Sequence, residues 1–131
     1  MNSDRHRSPI VLVIDDVEET RDLMEKMLRA SNYDVNSART EAEAVTKAHL
    51  NSPDLILITG GSNPGASALG QRIRDHAKLN GDVPVVVFCV PTVAEGTADD
   101  IGGNIYLARP DNFDQLRRLL TQLLAERHQV S

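Results

Sequence analysis

The stretch PDLILITGGSNPGAS, residues 53–67, decides how this chain is read. Leu55-Ile56-Leu57-Ile58 is an unbroken apolar run, bounded by Pro53 before it and by glycines after it. A short run without polar alternation, punctuated at both ends, fits a strand buried on both faces. In an open parallel sheet, ligands and chemistry collect outside the carboxyl ends of such strands. The residue at that point is Thr59, followed by Gly60, Gly61, Ser62 and Asn63.

Working outward, strand-like and helix-like segments alternate. IVLVI at 10–14 is a first buried strand. The spacing of Leu23, Met24, Met27 and Leu28 predicts a helix over 18–30. A weaker strand covers 33–37. Thr40 then opens a second helix with Glu43 completing a capping box, and Ala42, Val45 and Ala48 form its thin apolar face. After the run at 55–58, a third helix covers about 66–79 around Leu69 and Ile73. Pro84 leads a fourth strand, VVVFC at 85–89, and a short fifth strand covers 105–108. Asp111 is placed to cap a last helix whose stripe is Phe113, Leu116, Leu119, Leu120, Leu123 and Leu124. A questionable helix lies between Thr92 and Ile101. That stretch has Gly96, Gly102 and Gly103 and few apolar anchors, so a frayed or mobile segment is expected.

Strict β-α alternation implies parallel strands joined by right-handed crossovers, with helices on both faces. The expected fold is therefore a single α/β domain: a doubly wound, five-stranded parallel sheet. Residues 9–127 form this domain, with a disordered basic tail over 1–8 and a short tail over 128–131.

Composition narrows the function. The chain has 131 residues, enough for one domain, with 14 basic and 19 acidic residues and a net charge of −5. That balance argues against general nucleic-acid binding, which needs a basic patch. No apolar run approaches the roughly 18 residues needed to cross a bilayer, and the polar N-terminus lacks a signal peptide's apolar stretch. A cytoplasmic protein without membrane contact is expected. Cys89 is the single cysteine, which rules out an intrachain disulfide. The four histidines show no metal-ligand spacing.

Parallel strands share one carboxyl rim. Strand one ends in Asp15-Asp16, strand three in Thr59, strand four in Cys89 and strand five in Arg109 before Pro110. Two adjacent carboxylates on that rim need a cation or a donor network to tolerate each other.

VLVIDD, PDLILI, PVVVFC and YLARP, in this order, resemble the response-regulator receiver domains, the CheY-like family, over about residues 9–127. The resemblance implies a flavodoxin-like sheet of order 2-1-3-4-5 and a place in a two-component phosphorelay. It implies an aspartate at the end of strand three that takes phosphate from a histidine kinase, beside Mg²⁺ held by an acidic pair. The acidic pair falls on Asp15 and Asp16. The phosphoacceptor position falls on Thr59, the switch threonine or serine on Cys89, the switch aromatic on Tyr106 and the lysine on Arg109. The loop GGSNPGAS is also one residue longer than the family pattern.

These departures have physical consequences. A carboxylate is ionised at neutral pH, whereas a threonine hydroxyl needs a positioned base before it can attack phosphorus. Asp15 or Asp16 could supply that base. Loss of one carboxylate weakens a hard-cation site that needs several oxygens, leaving Asp15 and Asp16 as weak metal candidates and Mg²⁺ binding reduced. Arg109 is expected to lie across Asp15 or Asp16 in the cation's place. Cys89 offers a weak donor where a hydroxyl would serve. The reading is a non-enzymatic pseudo-receiver acting through phosphorylation-independent contact. Its partner would be a histidine kinase, another regulator or an effector domain, or a second copy as a homodimer. Two alternatives accompany it: a phospho-switch using Thr59, and an anion or nucleotide site in the Gly60–Gly65 loop, where successive N–H groups could form a nest.

Simpler structural roles are open for the same residues. Asp16 could cap the first helix, Cys89 could be a buried core residue, and Tyr106 a packed aromatic. Arg109 could be a surface ion pair.

Overall fold

A computed structural model describes residues 8–59, 65–88 and 93–129. The elements run β1 (Ile10–Ile14), α1 (Glu18–Ala30), β2 (Asp34–Ala38), α2 (Glu41–Leu50), β3 (Leu55–Ile58), α3 (Ala66–His76), β4 (Val85–Phe88), β5 (Thr97–Asp100), β6 (Ile105–Arg109) and α4 (Phe113–Gln129). They build a sheet of order β2-β1-β3-β4-β6-β5. The first five strands in that order pair in parallel, as the alternation requires.

The apolar strands divide by side-chain parity. Leu12, Ile14, Ile56, Ile58, Val85 and Val87 face one way, in a cluster with Ala44, Ala48 and Ile73 from α2 and α3. Val11, Val13, Leu55, Leu57 and Val86 face the other way, with Met24 and Leu28 of α1 and Leu116 and Leu120 of α4. The period of two therefore survives inside runs that show no alternation, because both faces are covered. Each such side chain contributes about 1.5–3 kcal/mol through burial. α3 approaches the sheet closely at Gly70, where an added Cβ would stand 2.4 Å from Cγ1 of Val85.

The sixth strand corrects the expected five-stranded, all-parallel sheet. β5 falls inside the questionable helix over 92–101 and pairs antiparallel with β6, Thr97 opposite Arg109 and Asp100 opposite Tyr106. The reason is local. Gly96 and Gly102 have φ of 77° and 90°, which no continuing helix accepts. Between them, TADD offers no apolar stripe to bury, and all four residues are exposed. As a strand it still satisfies its main chain against β6, so an edge strand is the stable outcome.

Smaller expectations shift too. α2 buries Ala44 and Ala48, while Ala42 is exposed. Leu23 is 58% exposed although it falls within the apolar spacing of α1. The Thr40 cap holds, its hydroxyl accepting from the Glu43 N–H at 3.2 Å while the Glu43 carboxylate accepts from Arg39 N–H. At α4 the cap is Asn112 rather than Asp111: the Asn112 side chain accepts from the Gln115 N–H at 2.9 Å, and Gln115 Oε1 accepts from Asp111 N–H.

Candidate functional site at the carboxyl rim

β1 and β3 lie side by side with Ile14 opposite Ile58, so their ends deliver Asp15 and Thr59 to neighbouring positions. The Thr59 N–H continues the ladder to Ile14 O at 3.1 Å, and the Asp15 N–H continues it to Ala38 O at 3.1 Å. Both residues are buried, Asp15 at 3% and Thr59 at 5% exposure. The Thr59 hydroxyl donates to Asp15 Oδ2 at 2.5 Å. Asp15 Oδ1 accepts the Val17 N–H at 2.8 Å, and Arg21 donates to the Asp15 main-chain carbonyl at 2.9 Å. A buried carboxylate is thus held by a hydroxyl and a main-chain amide, each a charge-assisted hydrogen bond.

Asp16 is exposed on the same rim. It does not cap α1: the N-cap is Val17, without a side-chain bond. Asp15, Asp16 and Thr59 border one cleft of about 400 Å³, closed by Ile58 beneath and by Ala66 and Leu69 of α3 at the side. Arg39 and Glu41 also line it, and sequence reasoning missed both. The signal was available, since Arg39 follows the end of β2 and so belongs to the same rim. Glu41 takes both oxygens into a fork with Arg72 of α3, at 3.0 Å each. Its hydrogen bond and charge interaction with Arg72 hold the Glu41 carboxyl below the usual carboxylate range.

Arg109 departs from expectation. Its guanidinium donates to Val93 O at 3.4 Å and Glu95 Oε1 at 3.2 Å, and Asp15 and Asp16 are not among its described contacts. The turn into β5 carries Val93 and Glu95 to the end of β6, where both accept from Arg109. Tyr106 lies mid-β6, half-buried, with Asp100 opposite. Burial, with smaller contributions from Asp100 and Glu126, pushes its phenol above the ordinary value. Cys89 and residues 60–64 of the Gly60–Gly65 loop lie outside the described residues.

A hard divalent cation takes several oxygen ligands at once. Among the described residues, no group of three or more His, Cys, Asp or Glu side chains is arranged to hold a metal ion. Both Asp15 oxygens are already engaged, whereas among the described residues Asp16 has no hydrogen-bond partner.

A sheet ordered 2-1-3-4 and continuing to a fifth parallel strand, with an acidic pair on its rim, invites comparison with known proteins. No protein-family model matches the chain. It is 29% identical over 126 residues to the transcriptional regulatory protein KdpE of Staphylococcus aureus (strain NCTC 8325 / PS 47), covering 91% of this chain and 52% of that protein. A putative response regulator from Chloroflexus aurantiacus J-10-fl superposes with a TM-score of 0.67 at 25% identity, over 91% of this chain and 99% of the other. This chain is a homologue of the response-regulator receivers and has their fold. The receiver domain of sensor histidine kinase PA1611 from Pseudomonas aeruginosa PAO1, solved with magnesium in its active-site cleft, shares the fold. Its TM-score is 0.65 at 23% identity, covering 91% of this chain and 99% of that one. The chain spans about half the length of its curated relative. Of the positions that the receiver resemblance singles out, Asp15, Asp16 and Thr59 meet at one cleft, while Arg109 and Tyr106 lie on β6. No helix among the described residues is long and apolar enough to cross a membrane.

Proposed function

We propose that this receiver is atypical and signals through protein–protein contact, without forming an aspartyl phosphate. The observation that carries the reading is the short hydrogen bond from the Thr59 hydroxyl to Asp15 Oδ2. Thr59 stands at the receiver's phosphoacceptor position, and its hydroxyl already satisfies the carboxylate that a cation would otherwise neutralise. Mg²⁺ affinity is correspondingly weak, because one carboxylate is absent and another is engaged. The partner is a histidine kinase, another regulator or an effector domain joined to it. The length of KdpE beyond the matched region is consistent with the last of these.

One observation favours a second reading. A hydroxyl 2.5 Å from a carboxylate is the arrangement of a nucleophile with its base, so Thr59 itself could accept phosphate. Against it, Thr59 is 5% exposed.

The test is intact mass after incubation with acetyl phosphate and Mg²⁺, with Thr59→Asp treated in parallel. Unmodified wild-type protein beside a singly phosphorylated variant is the expected result. A phosphate on the wild type mapping to Thr59 would replace the proposal with the second reading. No phosphate on either protein would place the obstacle in the rest of the cleft as well.

A further inference from the structure

Among the described residues, Arg74 is a buried basic side chain that the cleft does not use. It lies on the last turn of α3 at 6% exposure, and among the described residues no carboxylate is within ion-pair distance of it. Its guanidinium is spent on main-chain carbonyls instead. Nη2 donates to Gly103 O at 2.7 Å, and Nη1 donates to Val83 O at 3.1 Å and Gly81 O at 3.4 Å. One side chain thus ties α3 to the segment entering β4 and to the turn between β5 and β6.

That turn is tied both internally, by Gly102 N–H on Asp100 Oδ1 at 2.8 Å, and from outside. Gly102, Gly103 and Asn104 are consecutive residues at positive φ, of 90°, 65° and 61°. Glycine and asparagine are the residues that adopt left-handed backbone most readily, so the sequence suits this turn locally. The strand leading into the turn supplies no anchor, since Thr97, Ala98, Asp99 and Asp100 are all exposed. What fixes β5 is its ladder to β6, the buried Val93 and the Glu95–Arg109 ion pair before it, and the turn at its end. The turn reaches the body of the domain through Gly103 O on Arg74, through Asn104 Nδ2 on Gly81 O at 3.3 Å, and through Asn104 O, which accepts the Val85 N–H of β4 at 3.0 Å. Gly81 O therefore accepts from both Arg74 and Asn104.

We propose that Arg74 is a latch: its guanidinium holds the β5–β6 turn, and releasing it lets β5 leave the sheet edge as a unit while the five parallel strands stay paired. The edge thereby has two states, closed by β5 or open along β6. Arg74 acts here as a positioning residue. The inference rests on this geometry and not on the phosphorylation chemistry proposed for the cleft.

Native-state amide exchange on the whole chain tests it, comparing wild type with Arg74→Met, which keeps the apolar stem and removes the donors. The Gly96 and Ile101 amides donate to Arg109 O and Ile105 O across the β5–β6 pair, and report on the edge. The Thr59 and Ile56 amides donate to Ile14 O and Pro84 O, and report on the parallel sheet. Expected is exchange at Gly96 and Ile101 at least about tenfold faster in the variant, with a much smaller change at Ile56 and Thr59. Arg74→Lys, which can satisfy fewer of the carbonyls, should fall between. An equal acceleration at all four amides would mean that Arg74 supports the whole fold, and unchanged edge amides would mean that the turn holds without it. Either result overturns the latch. Should Arg74→Met fail to fold, the same comparison of edge and sheet amides in Arg74→Lys decides.

Discussion

Replacing Thr59 by valine keeps the shape of the side chain and removes the donor to Asp15. In the native fold, Asp15 would retain the Val17 N–H on Oδ1, while Oδ2 would face a methyl group at 3% residue exposure. A hydrogen bond to a charged group is worth about 1.5–3 kcal/mol, and leaving a buried acceptor unpaired adds a desolvation cost. The added methyl recovers about 1 kcal/mol at most. The expected net loss is about 2 kcal/mol. With a urea m-value of about 1–3 kcal/mol/M, the denaturation midpoint should fall by about 1 M at unchanged slope. Thr59→Ser should lose less, because the hydroxyl remains. A double-mutant cycle with Asp15→Ala isolates the pair, and a coupling of about 1.5–3 kcal/mol is expected. Thr59→Val equal to or more stable than wild type, with no coupling in the cycle, would refute the view that this hydroxyl holds the buried carboxylate.

Further outcomes follow from the packing and the titrating groups. Gly70→Ala should destabilise by about 1–3 kcal/mol although alanine favours helix, because the new Cβ stands 2.4 Å from Val85 Cγ1. Adding Val85→Ala should recover part of that loss in the same urea titration. Asn112→Ala should cost about 1 kcal/mol through loss of the α4 cap, seen as a lower thermal midpoint. The phenol pKa of Tyr106 is raised in the fold, chiefly by burial, so the folded state keeps this proton longer than the unfolded chain does. The corresponding stability is fully present below the unfolded value of about 10 and is lost as pH rises through the folded value. Tyr106→Phe should flatten the alkaline fall in thermal midpoint, and tyrosinate absorbance should show one late-titrating group fewer.

Much of this architecture was legible in the residues. The apolar runs at 10–14, 55–58 and 85–88 carry no polar face to turn to water, so β-α alternation left a parallel sheet as the way to bury them on both faces. The same reasoning put Asp15, Asp16 and Thr59 on one rim, because strand ends are fixed by chain direction alone. The sequence by itself thus determined the layers, the parallel pairing and the place of the acidic cleft.

Tertiary structure decided what pairing distances decide. TADD carries no apolar pattern of either period, so its state depended on the free edge of β6, a surface that exists only once the sheet is built. The lead-in to that strand also brings Val93 and Glu95 to the Arg109 guanidinium, contacts that no local pattern in the sequence announces. Arg39 and Glu41 joined the cleft for the same kind of reason, because the end of β2 is brought to the rim by its pairing with β1. Local patterns record which face a residue must bury. Which polar groups meet is settled by distances of a few ångströms between segments far apart in the chain.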